Sequence, residues 1–431
     1  MNTKRISGLF IVLFLLAALS GTTVVMAQGP EPPAKRLLPV VAAPGESAAP
    51  AFNVYESEPN NTMGQADVMS VNDVMAGDMN YSGDVDFFKF YIHEDNTAIL
   101  VDTDSLSSDM DSVVYLYNSA GSVIASSDNA DETESMLYVN LNPGWWYIKV
   151  SDSYGGYGDF TYYDLIVSTP LLISAAAANL GMGNVAGIPF ESQDILAWSG
   201  LNDGAEKWVM LIDGSDVGFT KNVMNLSRTR SWGTHVSALA VGFSANVTIG
   251  GALVKPWDFL NFRIDRAGPT TVISAFDRDE GANMFLTTVS EKMDALSIVD
   301  YAYASPWSER WYMSTVGTAS IPTTGGIRKP ADEDIFNVTC NATSTVANTF
   351  FDGSRVAGLA MEDVYAASYY EPYNDMYLTI LGTGRIDGHP VTQKDIFRID
   401  LPGHTWGSLV WHGPDHGWNY NIDAFDYPGG W

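Results

Sequence analysis

The sequence predicts an all-β protein in two parts. Residues 52–169 read as a β-sandwich, and residues 171–431 as a four-repeat β-propeller-like domain closed by its own termini. Three observations predict this. Short runs of period-two alternation separated by turn residues fill the first part. One motif recurs four times in the second. The first part shows no helical periodicity, and each repeat of the second divides into strand-like pieces.

The recurring motif is an Asp followed by an apolar strand: Asp194 to Trp198, Asp258 to Phe262, Asp334 to Val338 and Asp395 to Ile399, spaced by 64, 76 and 61 residues. Only 36 residues follow Asp395, and the 24 from Leu171 to Asp194 complete one more repeat length. Head and tail therefore supply complementary halves of one repeat. Four strand-like pieces per repeat, arranged radially, describe propeller blades, and a split last blade removes sheet edges that would invite aggregation. An open β-solenoid, which would not need complementary ends, and a barrel are the alternatives. A repeat near 60 residues exceeds the usual propeller period, so longer loops are expected.

Within each repeat the second piece carries an Asp-Gly turn, as in Val209 to Gly218 and Thr349 to Val356, which reads as a hairpin turn. The third piece is Val223 to Ser227, Phe285 to Val289, Asp363 to Ala367 or Ile422 to Tyr427. The fourth is Val236 to Ala240, Trp311 to Thr315, Met376 to Ile380 or, from the head of the domain, Leu171 to Ser174.

Ahead of these parts, Lys4 and Arg5, the apolar run Ile6 to Leu19 and the small residues Val25 and Ala27 read as a signal peptide over 1–27. The mature chain is therefore expected to be secreted or associated with the cell surface. No other stretch approaches the roughly 20 apolar residues that cross a bilayer. Residues 28–51, rich in Pro and Ala, read as a linker.

A net charge of -29 excludes nucleic acid as a natural partner and makes divalent cations the natural counter-ligands. The single cysteine, Cys340, rules out a disulfide framework and reads as a small buried apolar residue.

In the first part, Glu56 to Thr62 with its Glu-Pro-Asn-Asn core, Gly83 to Phe90, Asp109 to Tyr117, Gly144 to Val150 and Tyr163 to Val167 stand in order along the chain. These five blocks resemble the bacterial pre-peptidase C-terminal domain, with a slightly longer third block. The resemblance implies a jelly-roll-like sandwich attached to exported proteins, and its collagenase members imply calcium and collagen binding.

Calcium takes six to eight oxygen ligands. Glu56, Glu58, Asn60 and Asn61 offer four such groups within six residues, and Asp84 and Asp86 add two from a turn. A Ca2+ cage and a purely structural turn, in which Asn and Asp bond their own backbone, both stand as readings. Asp109 and Asp111 are the next metal candidates. With Asp102 and Asp104 they form an acidic group that reads foremost as a solvated loop. In the repeats, Asp213 and Asp216 are secondary metal candidates, and the turn alone also explains them. The Asp that leads each repeat, which could ring an axis, reads foremost as bonding the turn before it.

Alternation puts Trp146, Ile148 and Val150 on one face and Trp145, Tyr147 and Lys149 on the other. Trp145 and Tyr147 are candidates for holding an extracellular polymer, protein or polysaccharide; packing against the neighbouring domain is the alternative. Trp406, Trp411 and Trp418 cluster with His404, His412 and His416 and are candidates for a second groove, against blade packing. His412 and His416 are four apart, but Gly413-Pro414 breaks the helix that a zinc pair would need.

No His-Glu-x-x-His helix or Gly-x-Ser-x-Gly elbow is present, and no catalytic residue is nominated. The sequence thus points to a secreted, non-catalytic binding or surface-interaction protein with calcium as candidate cofactor. An extracellular hydrolase, or an accessory module of one, is the alternative.

Overall fold

Alternating apolar residues build two sheets from the first part of the chain. One has the order Asp67–Val68, Asp86–Ile92, Gly144–Asp152, Ser112–Asn118, Val123–Asp128. The other runs Asp73–Asp78, Tyr162–Ser168, Thr97–Asp104, Met136–Leu141. Every pairing is antiparallel except that of Asp67–Val68 with Asp86–Ile92. The computed structural model describes residues 54–428 without 129–132, 159, 177–181, 230–237, 280–285, 287, 289–290, 303–307, 324–325 and 342–343. The expected leader and linker lie outside the described residues, as does the Cys340 side chain.

Phe88, Phe90, Leu116, Trp146, Ile148 and Val150 of the five-stranded sheet meet Ile99, Val101, Val139, Leu165 and Val167 of the other in one apolar core. The five-stranded sheet buries a single face, which explains its strict alternation. In the four-stranded sheet, Thr97–Asp104 and Met136–Leu141 are buried on both faces. Their second face carries Ala98, Leu100, Met136 and Tyr138, which join a core with Leu172, Ile195, Ala197, Val209 and Leu211 of the repeats. Asp102 and Asp104 sit at this junction, so they do not form a solvated loop: Lys207 lies 3.7 Å from Asp102 and pairs directly with Asp104. Burial, then repulsion from Asp102 and Asp104, pushes the nearby Glu134 carboxyl up to about 8.

The repeats form four antiparallel four-stranded sheets of one order: third piece, fourth, Asp-led strand, second. They are Val223–Arg228, Ala238–Phe243, Phe259–Arg266, Val272–Asp279; then Met293–Ala302, Ser308–Thr315, Ile335–Asn341, Ser344–Phe351; then Val364–Tyr370, Asp375–Ile380, Asp395–Asp400, Thr405–His412. The fourth is composite. Ile422–Asp426 pairs with Leu171–Ala175, which pairs with Ile195–Gly200 and then Glu206–Ile212, placing Ile173 opposite Phe425. Head and tail of the repeat region therefore share one ladder.

Three readings are corrected. The third piece of the second repeat is Met293–Ala302 rather than Phe285 to Val289, most of which lies outside the described residues. The extra length per repeat is an added two-stranded hairpin, not a longer loop: Gly183–Val185 with Ile188–Phe190, Val247–Ile249 with Ala252–Val254, Ile321–Thr323 with Gly326–Arg328, and Thr383–Ile386 with His389–Thr392. Ala186-Gly187, Gly250-Gly251 and Asp387-Gly388 all have positive φ, the conformation two-residue hairpins favour. Finally, Asp213-Gly214 and Asp352-Gly353 follow the second piece and lead to the next sheet, so they are not hairpin turns.

Those glycines explain the recurring Asp. Asp194 accepts the Glu191 N–H (2.7 Å) on one oxygen and the Gly214 N–H (2.8 Å) on the other. Asp334 does the same with Ala331 and Gly353, both at 3.0 Å. Asp395 takes the Thr392 N–H (2.7 Å) and His412 Nδ1 (2.5 Å), and Asp258 takes the Lys255 N–H (3.0 Å). Each Asp thereby clasps the turn before its strand, and at Asp194 and Asp334 also the link to the next sheet.

A Cβ on Gly353 would lie 2.3 Å from the Glu333 carbonyl oxygen, and one on Gly214 2.4 Å from that of Gln193. We expect Gly353→Ala to cost about 1–3 kcal/mol in urea unfolding, as overpacking does. Gly64→Ala, whose Cβ meets nothing closer than 3.9 Å, serves as the control. Equal, small losses in both would show that the close approach is not needed.

The first-named strand of each sheet, with Ile422–Asp426 in the composite one, contacts its counterparts in the next and the previous sheet. Ser227 Oγ accepts the Ile298 N–H (2.9 Å), Ser297 Oγ the Tyr369 N–H (2.9 Å) and Ser368 Oγ the Tyr427 N–H (3.3 Å). At the corresponding place the fourth strand has Asp426. It pairs with Arg228, whose guanidinium also donates to the Tyr427 carbonyl at 2.7 Å.

Candidate functional site

Two regions of the first part concentrate chemistry. At the first, the Asn60 carbonyl accepts the Phe87 N–H (3.0 Å), tying the acidic turn to the strand that begins at Asp86. Glu56, Glu58 and Asp86 bring carboxylate oxygens within 4.8 Å of one another, the sole such trio among the described residues. Asn60 Nδ2 donates to Glu56 (3.1 Å) and its N–H to Glu58 (3.1 Å), while the Asp78 N–H donates to Glu56 (2.6 Å). The Tyr163 hydroxyl, from the last strand, donates to Asp86 at 2.5 Å.

Asn60 Oδ1 and Asp86 Oδ1 are buried and have no hydrogen-bond partner. Burial, then repulsion from Asp86, pushes the Glu56 carboxyl up to about 10; burial, then the neighbouring Asp84 and Glu58, pushes Asp86 up to about 8 against the Tyr163 bond. Burial raises Glu58 as well. Three carboxylates held this close need a proton or a cation between them. The oxygens of Glu56, Glu58, Asn60 and Asp86 suit calcium, which takes carboxylate and amide oxygens in a flexible shell.

Asp84 and Asn61 stand beside the trio, Asp84 close to Glu58. Asp84 accepts the N–H groups of Asn80 (2.6 Å) and Val85 (3.0 Å), and Asn61 packs on Tyr81 and Val85, so both brace the turn beside the trio. Asp109 is exposed, and Asp111 is buried with Asp128 and Asp152 as its charged neighbours. Asp213 caps its own turn through the Ser215 N–H (3.0 Å), while the Asp216 N–H bonds the Asp213 carbonyl (3.3 Å).

The second region is the uncovered face of the five-stranded sheet. Register sets three rows across its strands: Phe87, Lys149 and Tyr115; Lys89, Tyr147 and Tyr117; Tyr91 and Trp145. Trp145 is 42% exposed and Tyr91 41%, with their rings edge-to-face at 5.3 Å. Lys149 lies over the Tyr115 ring at 4.5 Å and Lys89 over Trp145 at 5.9 Å. Residues 52–169 hold no other lysine and no arginine, so these cations collect on one face of an acidic module. Trp145 and Tyr147, singled out in the sequence, lie on this face, and Tyr91, Tyr115 and Tyr117, which were not, share it with them. Their alternation is visible, but which strands lie side by side is not.

The tryptophans of the last repeat form no groove. Trp418 and Trp411 are buried, Trp418 stacking on Trp208 (5.5 Å) and Phe190 (5.2 Å). Trp406 is sandwiched between His389 (4.6 Å) and Phe397 (5.4 Å). Large apolar rings between sheets fill space that smaller side chains would leave empty. His412 bonds Asp395 and His416 bonds Glu206 (2.6 Å), so the two histidines do not share a ligand position.

Residues 84–152 match the family model of the bacterial pre-peptidase C-terminal domain. The chain is also similar to the crystal structure of the pre-peptidase C-terminal domain of collagenase from Bacillus anthracis, at 18% identity, covering 24% of this chain and 93% of that one, with a TM-score of 0.21. No curated protein matches. No helix among the described residues is long and apolar enough to cross a membrane. Within this all-β chain, residues 84–152 are a bacterial pre-peptidase C-terminal domain.

Proposed function

We propose that the chain is an exported, non-catalytic binding protein that holds an extended extracellular polymer on the exposed aromatic face of a calcium-assisted, jelly-roll-like sandwich over residues 52–169. The observation that carries this is the three-row array of Phe87, Tyr91, Tyr115, Tyr117, Trp145 and Tyr147 around Lys89 and Lys149. Aromatic side chains present large rigid surface at small entropic cost and dominate binding hot spots. Rows of rings across parallel or antiparallel strands match a chain-like ligand better than a compact one. The lysines add attraction for acidic or carbonyl-rich segments.

The repeats over 171–431 are read as a four-bladed propeller-like body closed by its own termini. The common strand order, the ladder between Leu171–Ala175 and Ile422–Asp426 and the cycle of links from Ser227 to Asp426 support this reading. Its part is to present the sandwich rigidly, through the apolar junction around Leu100 and Tyr138. The leader-like residues 1–27 support secretion, as does the sandwich family's attachment to exported proteins.

Pull-down of the full chain on insoluble collagen, chitin, cellulose and peptidoglycan tests the reading. At least one of these is expected to retain the wild type. Trp145→Ala with Tyr91→Ala is expected to weaken that retention by about tenfold or more, as the loss of hot-spot aromatics does. Retention by none of them, or undiminished retention of the double variant, would refute the assignment of this face.

A further inference from the structure

The four strands that contact one another across sheets all begin with a bulge at the same place. Met224, Asp294, Tyr365 and Asp423 are the residues skipped in the registers of Val223–Arg228, Met293–Ala302, Val364–Tyr370 and Ile422–Asp426. Such a bulge re-aims the side chain it carries. Near them stand Asn222, Lys292 and Asp363, close to the starts of their own strands.

The side chains form one polar cluster with too few donors. Asn222 Nδ2 donates to Asp423, and the Tyr365 hydroxyl stands beside the same carboxylate. Asp294 and Asp363 come within hydrogen-bonding reach of each other, and both feel the charge of Asp332. Asp294, Asp423 and Asn222 are more than nine-tenths buried. Yet both oxygens of Asp294 and Oδ1 of Asp363, Asp423 and Asn222 have no hydrogen-bond partner. Lys292 feels the charge of Asp423 and Asp294, but no ion pair joins it to either among the described residues. Buried carboxylates facing each other demand a proton or a cation. The buried, unpaired amide oxygen of Asn222 adds a neutral oxygen of the kind calcium takes.

We propose that this cluster, built where the four facing strands begin, binds a hard divalent cation through Asp294, Asp363, Asp423 and Asn222. Carboxylate and amide oxygens select calcium or magnesium over softer metals. No three of these carboxylates lie within 4.8 Å of one another. The ion therefore keeps part of its water, and water bridges it to the farther oxygens. Its effect is to tie strands from all four sheets together at one end.

The test uses the full chain carrying Glu56→Gln and Asp86→Asn, which removes the carboxylate trio of the sandwich from the count. After chelation, this background is expected to take up about one equivalent of calcium or magnesium in equilibrium dialysis and to melt at a higher temperature with it. Adding Asp294→Asn is expected to abolish both effects. It should also raise the melting temperature in chelator, since one buried charge is gone, which shows that the variant folds. If Asp294→Asn fails to fold, Asp363→Asn at the less buried position is read the same way. Absence of uptake by the background, or uptake that survives these substitutions, overturns the proposal.

Discussion

Asp426→Ala is expected to lower the stability of the folded chain by about 3–5 kcal/mol, the cost of removing one partner from a buried ion pair. The Arg228 and Asp426 side chains are 14% and 6% exposed, and they join Val223–Arg228 to Ile422–Asp426, where the beginning and end of the repeats meet. Serine makes the corresponding link at Ser227, Ser297 and Ser368. Losing one of those hydroxyls leaves a single N–H unpaired and should cost less, about 1–3 kcal/mol. Burial, outweighing Arg228, holds the Asp426 carboxyl above its ordinary range. Desolvation thus cancels much of the attraction, and Arg228→Met with Asp426→Leu should recover most of the loss. Urea unfolding of the single and double variants, followed by tryptophan fluorescence, measures the coupling. A loss below about 1 kcal/mol for Asp426→Ala would mean that the ends are held by the strand ladder alone.

The carboxylate trio of the sandwich should impose an unusual pH dependence on the metal-free protein. Glu56 and Asp86 have folded pKa values pushed up to about 10 and about 8. Between their unfolded values, near 4, and these folded values the native state binds more protons than the unfolded one, so stability falls as pH rises. The contribution is complete below about pH 4 and is lost as pH climbs through 8. Other buried carboxyls, among them Glu134 and Asp164, slope the same way, so the informative quantity is a difference.

Relative to Glu56→Gln with Asp86→Asn, the chelated wild type is expected to lose about 2–5 kcal/mol between pH 4.5 and 8. Calcium at about 100 times its Kd should restore about 2.7 kcal/mol to the wild type through this site. Because metal displaces protons here, affinity should rise with pH. Parallel stability curves for wild type and variant across that range would refute the assignment.

Much of the architecture was legible in one dimension. The Asp before each strand marks a turn that needs an acceptor for its own N–H groups, and that requirement is local, so it repeats wherever the turn repeats. Alternation located Trp146, Ile148 and Val150 in the core for the same reason. The hairpins at Ala186-Gly187 and Gly250-Gly251 were equally local and were overlooked, because their three-residue strands are too short to show a period. The trio of Glu56, Glu58 and Asp86 was half visible: the first two share a turn, whereas Asp86 joins them through the bond from Asn60 to Phe87.

What the amino-acid sequence alone determined is most strands of the large sheets, their repeat, and the complementarity of the two ends. Tertiary structure alone decided which side chains became neighbours. It buried Trp411 and Trp418, paired Asp102 and Asp104 with Lys207, assembled Tyr91, Tyr115 and Trp145 into one face, and brought Asp294 to Asp363. The reason is physical. Backbone propensity and capping act over a few residues, so the chain's order records them, while burial and charge act through space between strands far apart in that order.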